Sequence, residues 1–125
     1  MRGWLKLCRN GATRTVLLVG NYAVKVPRLG NPETFYRGLL ANLTEKKFGT
    51  CGFAELATVV YGNVFGLVLV MKRVRPVRHR GLYFLELERM RVESGLADEF
   101  ILSDAKPENF GYNSQNRLVK CDFGN

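Results

Sequence analysis

The sequence predicts an α+β domain built on an antiparallel sheet, and three observations favour this class. The 125 residues are 46% hydrophobic and 11% aromatic, which suits one domain with a single buried core. Short β-branched and apolar runs joined by tight turns are typical of antiparallel strands. Helical spacing of apolar residues is limited to two segments, so strands and helices are partly segregated along the chain.

The first 28 residues are predicted to contain three strands. Residues 4–9 alternate in part, and the turn signal Asn10-Gly11 follows them. Residues 15–19 are β-branched and apolar. Gly20-Asn21 then fits a two-residue hairpin turn, because both residue types tolerate positive φ. Residues 22–27 form the return strand, which ends at a proline.

A helix is predicted to begin at Asn31 and to end at Gly49. Asparagine is a favourable N-cap, Pro32 suits the first turn, and Glu33 lies near the positive end of the helix. Apolar residues recur at helical spacing along the segment. A helical wheel predicts that its apolar face contains Phe35, Leu39 and Leu43.

Two more strands, 56–61 and 65–70, are predicted after this helix, joined by a Gly-Asn turn. The second is apolar on both faces, as a central strand would be. Residues 81–94 are predicted to form a second helix, since apolar residues recur among charges there. The polar loop 104–109 then leads into a last hairpin over residues 110–121.

The net charge favours an acidic partner. Nineteen Lys and Arg against eleven Asp and Glu give +8, which suits nucleic acid, a phosphorylated ligand, anionic lipid or an acidic protein. Basic residues occur without any acid in residues 1–32 and 71–80. The aromatic residues lack the alternating arrangement that stacks on bases, which argues against nucleic acid.

Other patterns bear on the compartment. No apolar run approaches the ~20 residues that a membrane span needs, and the N-terminus resembles no signal peptide. The three cysteines, Cys8, Cys51 and Cys121, are odd in number and widely spaced. This usage favours a reducing compartment, and we expect a cytoplasmic protein.

Two polar segments near the C-terminus carry residues suited to chemistry. Asp104 and Asn109 are five residues apart with Lys106 between them, and Asp122 follows thirteen residues after Asn109. The predicted hairpin would bring Asp122 back beside Asn109. The set would then provide a carboxylate base, a cation and two oxygen ligands for a hard metal ion. These are the parts that phosphoryl transfer needs.

These segments resemble two protein kinase motifs. The stretch S-D-A-K-P-E-N at 103–109 is similar to the catalytic loop, and D-F-G at 122–124 matches the metal-binding motif. A-V-K-V at 23–26 resembles the strand V-A-I-K. The resemblance implies one kinase-like domain, 1–125. Residues 1–74 would form the five-stranded lobe with one helix and the hinge, and 75–125 a reduced lobe with one helix, the catalytic loop and the hairpin.

The resemblance also implies roles for the polar residues, with ATP and Mg²⁺ as cofactors. Lys25 would hold the α- and β-phosphates of ATP. Asp104 would orient or deprotonate the accepting hydroxyl, and Lys106 would neutralise the γ-phosphate. Asn109 and Asp122 would bind Mg²⁺.

The glutamate that pairs with Lys25 is open between two residues. Glu45 lies twenty residues after Lys25, close to the spacing in the family. On the helical wheel, however, Glu45 falls opposite the apolar face, whereas Glu33 lies at its edge. The spacing favours Glu45, and both could instead be exposed helix charges.

The segment expected to contact adenine resembles the family, whereas the loop expected to cover the phosphates departs from it. Residues 67–74 are similar to the strand that enters the hinge, so the backbone of Met71, Lys72 and Arg73 would meet the adenine edge. The phosphate-covering loop lacks G-x-G-x-x-G and has only Gly11 in its place. We expect Arg14, at the tip of that loop, either to contact phosphate by charge or to be a plain surface residue.

Other departures indicate a minimal kinase. Leu102 and Ser103 replace the histidine and arginine before the catalytic aspartate, which removes the usual receptor for an activation-loop phosphate. The resemblance covers only the nucleotide-binding part of the family fold, as in small bacterial effector kinases and phage kinases. The platform for a substrate would come from a partner, a second copy or the basic surface.

The leading expectation is a Ser/Thr protein kinase that uses ATP and Mg²⁺ on a protein with an acidic docking surface. It would act in the cytoplasm, or in the host cytoplasm if it is an effector or phage protein. Two alternatives stay open. One is a pseudokinase-like module that binds an acidic partner without turnover, and the other is a kinase-fold enzyme that transfers a nucleotidyl group.

Overall fold

The structure is a computed structural model that describes residues 5–8, 13–94, 96–102 and 105–123, with side chains from residue 13 onward. Five antiparallel strands form the first sheet, as the sequence predicts, and the structure arranges them in the order β1-β2-β3-β5-β4. These strands are β1 (Leu5–Cys8), β2 (Arg14–Val19), β3 (Tyr22–Pro27), β4 (Val59–Gly62) and β5 (Leu69–Lys72).

The β2–β3 hairpin sets the register of the sheet. Its pairing runs from Val19 opposite Tyr22 to Arg14 opposite Pro27. Gly20 has φ 56° at the turn, a conformation that glycine adopts without strain. Strand β3 also pairs with β5, so Lys25 lies on the central strand opposite Leu69.

Helix α1 (Pro32–Gly49) begins as predicted, because the Asn31 side chain accepts the Thr34 N–H at 2.8 Å. Its inward face differs from the helical-wheel prediction. The predicted apolar face of Phe35, Leu39 and Leu43 is only half-buried. The buried residues are instead small or polar, namely Gly38, Ala41, Asn42, Glu45 and Gly49.

Close approach of α1 to the sheet explains this face. A Cβ added to Gly38 would lie 2.6 Å from the Thr13 carbonyl oxygen and 2.8 Å from Pro27 Cβ. Leucine at such positions would clash with backbone, so only small residues, or polar ones that form hydrogen bonds, fit between helix and sheet.

Strands β4 and β5 begin later than predicted. Residues 63–68 form a loop in which the Asn63 side chain accepts the Phe65 N–H and Gly66 has φ 77°. Val64 and Phe65 are 70% exposed in this loop. The apolar run was therefore a misleading strand signal, because the local Asn and Gly turn chemistry outweighed it.

The second sheet contains the predicted hairpin and one further strand. Its order is β6 (Arg75–Pro76), β7 (Phe110–Tyr112) and β8 (Leu118–Lys120). Strand β6 comes from the segment after β5, which the sequence did not indicate as a strand. Backbone hydrogen bonds from Ala57 N–H to Lys120 O and from Lys120 N–H to Glu55 O join β8 to the segment that leads into β4 of the first sheet.

Two helices, not the predicted one, pack on the second sheet. They are α2 (Arg80–Glu93) and the short α3 (Asp98–Leu102), followed by a 3-10 turn at Pro107–Asn109. Ile101 of α3 is buried in the core of this half, and this burial stabilises a helix too short to be evident from periodicity. No described helix has both the length and the apolarity to cross a membrane.

We expect Gly38→Ala to lower the free energy of unfolding by about 1–2 kcal/mol. The new Cβ would strike the backbone of Thr13 and Pro27, and this overpacking should outweigh the gain in helix propensity. Urea denaturation measures the change. Gly30→Ala is the control, because nothing lies within 4 Å of a Cβ there. Equal stability of the two variants would contradict the tight packing of α1.

Candidate functional site

A cavity of about 380 Å³ lies between the two sheets. Strands β2 and β3 form one wall, the segment after β5 forms the edge, and the residues around β7 and β8 form the other wall. Its described lining is Thr13, Arg14, Val16, Leu18, Ala23, Lys25, Met71–Val74, Pro76, Val77, Pro107, Glu108, Phe110, Cys121 and Asp122. The lining combines apolar side chains with a few charged groups, as ligand cavities usually do.

Lys25 is buried in the wall formed by β3. Its Nζ donates to Glu45 Oε1 at 2.8 Å and to the carbonyl oxygen of Cys121 at 2.6 Å. The other candidate, Glu33, pairs with Arg37 on the exposed face of α1. Of the two glutamates, Glu45 is therefore the one in contact with Lys25.

Glu45 is fully buried and accepts bonds on both carboxylate oxygens. Lys25 and Arg14 Nη1 donate to Oε1, while Arg14 Nη2 and the Phe123 N–H donate to Oε2. Burial alone would raise the pKa of this carboxyl. The two cations and their hydrogen bonds outweigh burial and lower the pKa of Glu45 to about 2.

Arg14 differs from its predicted place. It is the first residue of β2, not the tip of a loop, and it is 4% exposed. Besides Glu45, its guanidinium donates to Asn42 Oδ1 at 3.2 Å and to Asp122 Oδ1 at 2.7 Å. Burial lowers the pKa of Arg14, but its bonds to Glu45 and Asp122 outweigh burial and raise it above the ordinary value.

The hairpin brings Asn109 and Asp122 together through the backbone. The Asn109 carbonyl oxygen accepts the N–H of Cys121 at 2.8 Å and of Asp122 at 3.2 Å. The Asn109 side chain is buried, and the Asp122 side chain is 18% exposed at the cavity. The described residues contain no group of three or more His, Cys, Asp or Glu that could hold a metal ion.

The donor types of these two side chains are nevertheless of the kind that a magnesium ion accepts. Magnesium is usually held by one or two carboxylates together with water and phosphate oxygens, not by an all-protein cage. Asp122, which lines the cavity, has a carboxylate of the required kind. Asn109 has an amide oxygen, but it is buried and is not among the described residues that line the cavity.

The remaining predicted residues are placed as follows. Asp104 and Ser103 lie outside the described residues. Lys106 is exposed before the 3-10 turn, and its carbonyl oxygen accepts the Asn109 N–H at 2.9 Å.

Met71, Lys72 and Arg73 line the cavity. The backbone N–H of Lys72 donates to Thr58 O, and that of Arg73 donates to Asn21 O, both at 2.9 Å. These two amides are therefore already bonded within the protein.

Sequence reasoning missed Asn42. This residue is 1% exposed, and its amide donates to Lys25 O at 3.1 Å and to Gly66 O at 2.9 Å while its oxygen accepts from Arg14. Asn42 and Glu45 are three residues apart and so share one helix face. The spacing of Gly38, Ala41, Asn42, Glu45 and Gly49 was the signal that could have identified this face.

Burial also affects the thiol that precedes Asp122. Burial raises the pKa of Cys121 to about 11, although the nearby Lys25 ammonium acts in the opposite direction. This thiol is therefore protonated at neutral pH, which agrees with a packing role.

Comparison with known proteins shows the fold. No protein family model matches the chain, and no curated protein matches its sequence. The structure is similar to that of WbdD in a co-crystal with the kinase inhibitor LY294002, with a TM-score of 0.53 and 16% sequence identity. The match covers 98% of this chain and 32% of WbdD, so the chain spans about a third of that protein. The predicted kinase-like fold is confirmed at this level.

We expect Glu45→Gln to lower the free energy of unfolding by about 3–5 kcal/mol, because it leaves two buried cations without their carboxylate. Glu33→Gln is the matched control. Its exposed ion pair should contribute less than about 1 kcal/mol. Urea denaturation of both variants measures the difference, and similar midpoints would contradict a central role for Glu45.

We expect stability to fall as the pH decreases from about 4.5 to about 2. The folded pKa of Glu45 is below its ordinary value of 4.5, so its contribution is complete above 4.5 and is lost as the pH falls through the folded pKa. Urea unfolding at a series of pH values tests this expectation. The fall should be shallower in Glu45→Gln and unchanged in Glu33→Gln; an unchanged slope in Glu45→Gln would refute the assignment.

Proposed function

We propose that this protein is a kinase-like phosphotransferase that uses ATP and Mg²⁺ to phosphorylate Ser or Thr hydroxyls of a protein. One observation carries the proposal. The buried Lys25–Glu45 ion pair lies beside Asp122 in the wall of a cavity within a kinase-like fold. That WbdD binds a kinase inhibitor supports a nucleotide site in the same fold.

The cavity suits a nucleotide in size and character. Its volume of about 380 Å³ falls within the ~300–1,000 Å³ of small-molecule sites. Val16, Ala23 and Met71 offer apolar surface for an adenine ring, while Lys25 offers a cation for phosphates. Since the amides of Lys72 and Arg73 are engaged, adenine would contact other backbone groups of this segment.

The chemical step would be a direct transfer. The substrate hydroxyl oxygen forms a bond to the γ-phosphorus, the bond from that phosphorus to the β-phosphate oxygen breaks, and ADP leaves. Asp104 would take the hydroxyl proton, and Lys106 would move close to the γ-phosphate. Asp122 and Asn109 would hold Mg²⁺, which when bound neutralises charge on the phosphate oxygens.

We infer the kind of substrate from the basic surface beside the cavity. The exposed basic residues Lys72, Arg75, Arg78 and Arg80 follow the cavity edge. A protein with an acidic surface would be attracted to them. A second copy of the chain or an activating partner would supply the platform that holds the substrate. The protein would act in the cytoplasm, or in the host cytoplasm if it is an effector or phage protein, where ATP and such partners are present.

One observation favours a second candidate, a pseudokinase-like binding module. Asp122 Oδ1 already bonds to Arg14, so a group proposed to hold the metal has a cation in place. A module of this kind would bind its acidic partner without transferring phosphate.

Incubation with γ-labelled ATP, Mg²⁺ and a cell lysate separates these candidates. We expect the wild type and Glu33→Gln to label protein, and Asp104→Asn to bind ATP without transfer. Asp122→Asn should lose transfer because it removes the carboxylate for the metal. An ATP-dependent thermal shift without labelling in the wild type would favour the binding module. Label transferred only from α-labelled ATP would instead indicate a nucleotidyltransferase.

A further inference from the structure

Arg14 is a buried cation that joins two carboxylates from distant parts of the chain. Glu45 belongs to α1, whereas Asp122 follows β8. The Arg14 side chain is 5% exposed and lines the cavity beside Lys25. An arginine stays protonated in proteins, so this charge is a permanent part of the cavity wall.

The charges of this cluster balance without a metal ion. Glu45 and Asp122 supply two negative charges, and Lys25 and Arg14 supply two positive ones within 2.8 Å of them. With Lys25 and Glu45 alone, Asp122 would lack a counter-ion and a metal ion would be needed to balance it. Arg14 fills that place.

Arg14 also limits how Asp122 can bind a metal ion. Asp122 Oδ1 accepts a bond from Arg14 Nη2 at 2.7 Å. Within the described part of the chain, Oδ2 accepts no side-chain bond and remains for a ligand. Asp122 can then bind a cation through Oδ2 while Oδ1 keeps its hydrogen bond to the Arg14 guanidinium.

We propose that Arg14 is a positioning residue that acts as the fixed counter-ion of Asp122, so that a nucleoside triphosphate still binds when no divalent cation is present. This inference rests on the proposed nucleotide-binding function and deepens it. Without Arg14, the triphosphate would face the Asp122 charge directly. The metal ion would then be required for binding as well as for transfer.

The test is the dissociation constant of mant-ATP, measured by fluorescence in Mg²⁺ and in EDTA. We expect the wild type to bind in both, with affinities within about tenfold of each other. Arg14→Met should raise the ratio of the dissociation constant in EDTA to that in Mg²⁺ by about tenfold or more, which is the effect of losing one charge-assisted hydrogen bond. Arg14→Lys should restore part of the ratio. Arg37→Met, which removes an exposed arginine of α1, is the control and should leave it unchanged.

The outcomes separate this inference from the proposed function. Wild-type binding only in Mg²⁺ would overturn the role of Arg14 and leave the proposed function intact. Absence of binding in both buffers would overturn both. If Arg14→Met binds mant-ATP more weakly than the wild type by the same factor in both buffers, Arg14 is a merely structural residue and the proposal is overturned. If Arg14→Met binds mant-ATP more tightly than the wild type in Mg²⁺, Arg14 competes with the metal ion and the proposal is likewise overturned.

A second variant keeps the test decisive if Arg14→Met does not fold. Asp122→Asn removes the negative charge that Arg14 balances and leaves the guanidinium in the wall. We expect this variant to bind mant-ATP at least as tightly as the wild type in EDTA and to gain no more than about twofold from Mg²⁺. Loss of binding in EDTA would overturn the proposal.

Discussion

The buried carboxylate of Glu45 is the constraint on which the rest of the structure depends. A carboxylate without exposure is costly unless its charge is paired and its oxygens accept hydrogen bonds. Here its donors come from β2, from β3 and from the backbone of Phe123. Satisfying one side chain therefore ties the first sheet, α1 and the segment after β8 to one another.

The same constraint explains the unusual inner face of α1. For Glu45 to reach Lys25 and Arg14, the helix must lie close to the sheet, and small residues such as Gly38 allow this. Larger apolar residues are displaced to the sides, where they are half-buried. The close approach of α1 to the sheet therefore determines both the packing and the candidate site. The small residues that let Glu45 reach Lys25 and Arg14 also fill the interface between helix and sheet.

The cavity exists because the two sheets are joined at a few fixed points. At one of them the backbone N–H of Ala57 donates to Lys120 O, and Met71 and Val119 belong to a single core cluster. The Lys120 ammonium donates to Phe100 O at 2.7 Å and secures α3 against β8. These contacts fix the distance between Lys25 on one wall and Asp122 on the other, which a phosphate-binding function would require.

The sequence by itself determined the α+β class, the five antiparallel strands of the first sheet and the start of α1, because local turn chemistry and capping carry that information. The spacing favoured Glu45 over Glu33 as the partner of Lys25, and the structure decided between them. Only the tertiary structure decided which face of α1 is buried and that β6 and α3 form. It also placed Arg14 between Glu45 and Asp122. These outcomes depend on contacts between residues up to 108 apart in the chain, and periodicity within a short window cannot report the charge or the space available on a distant element.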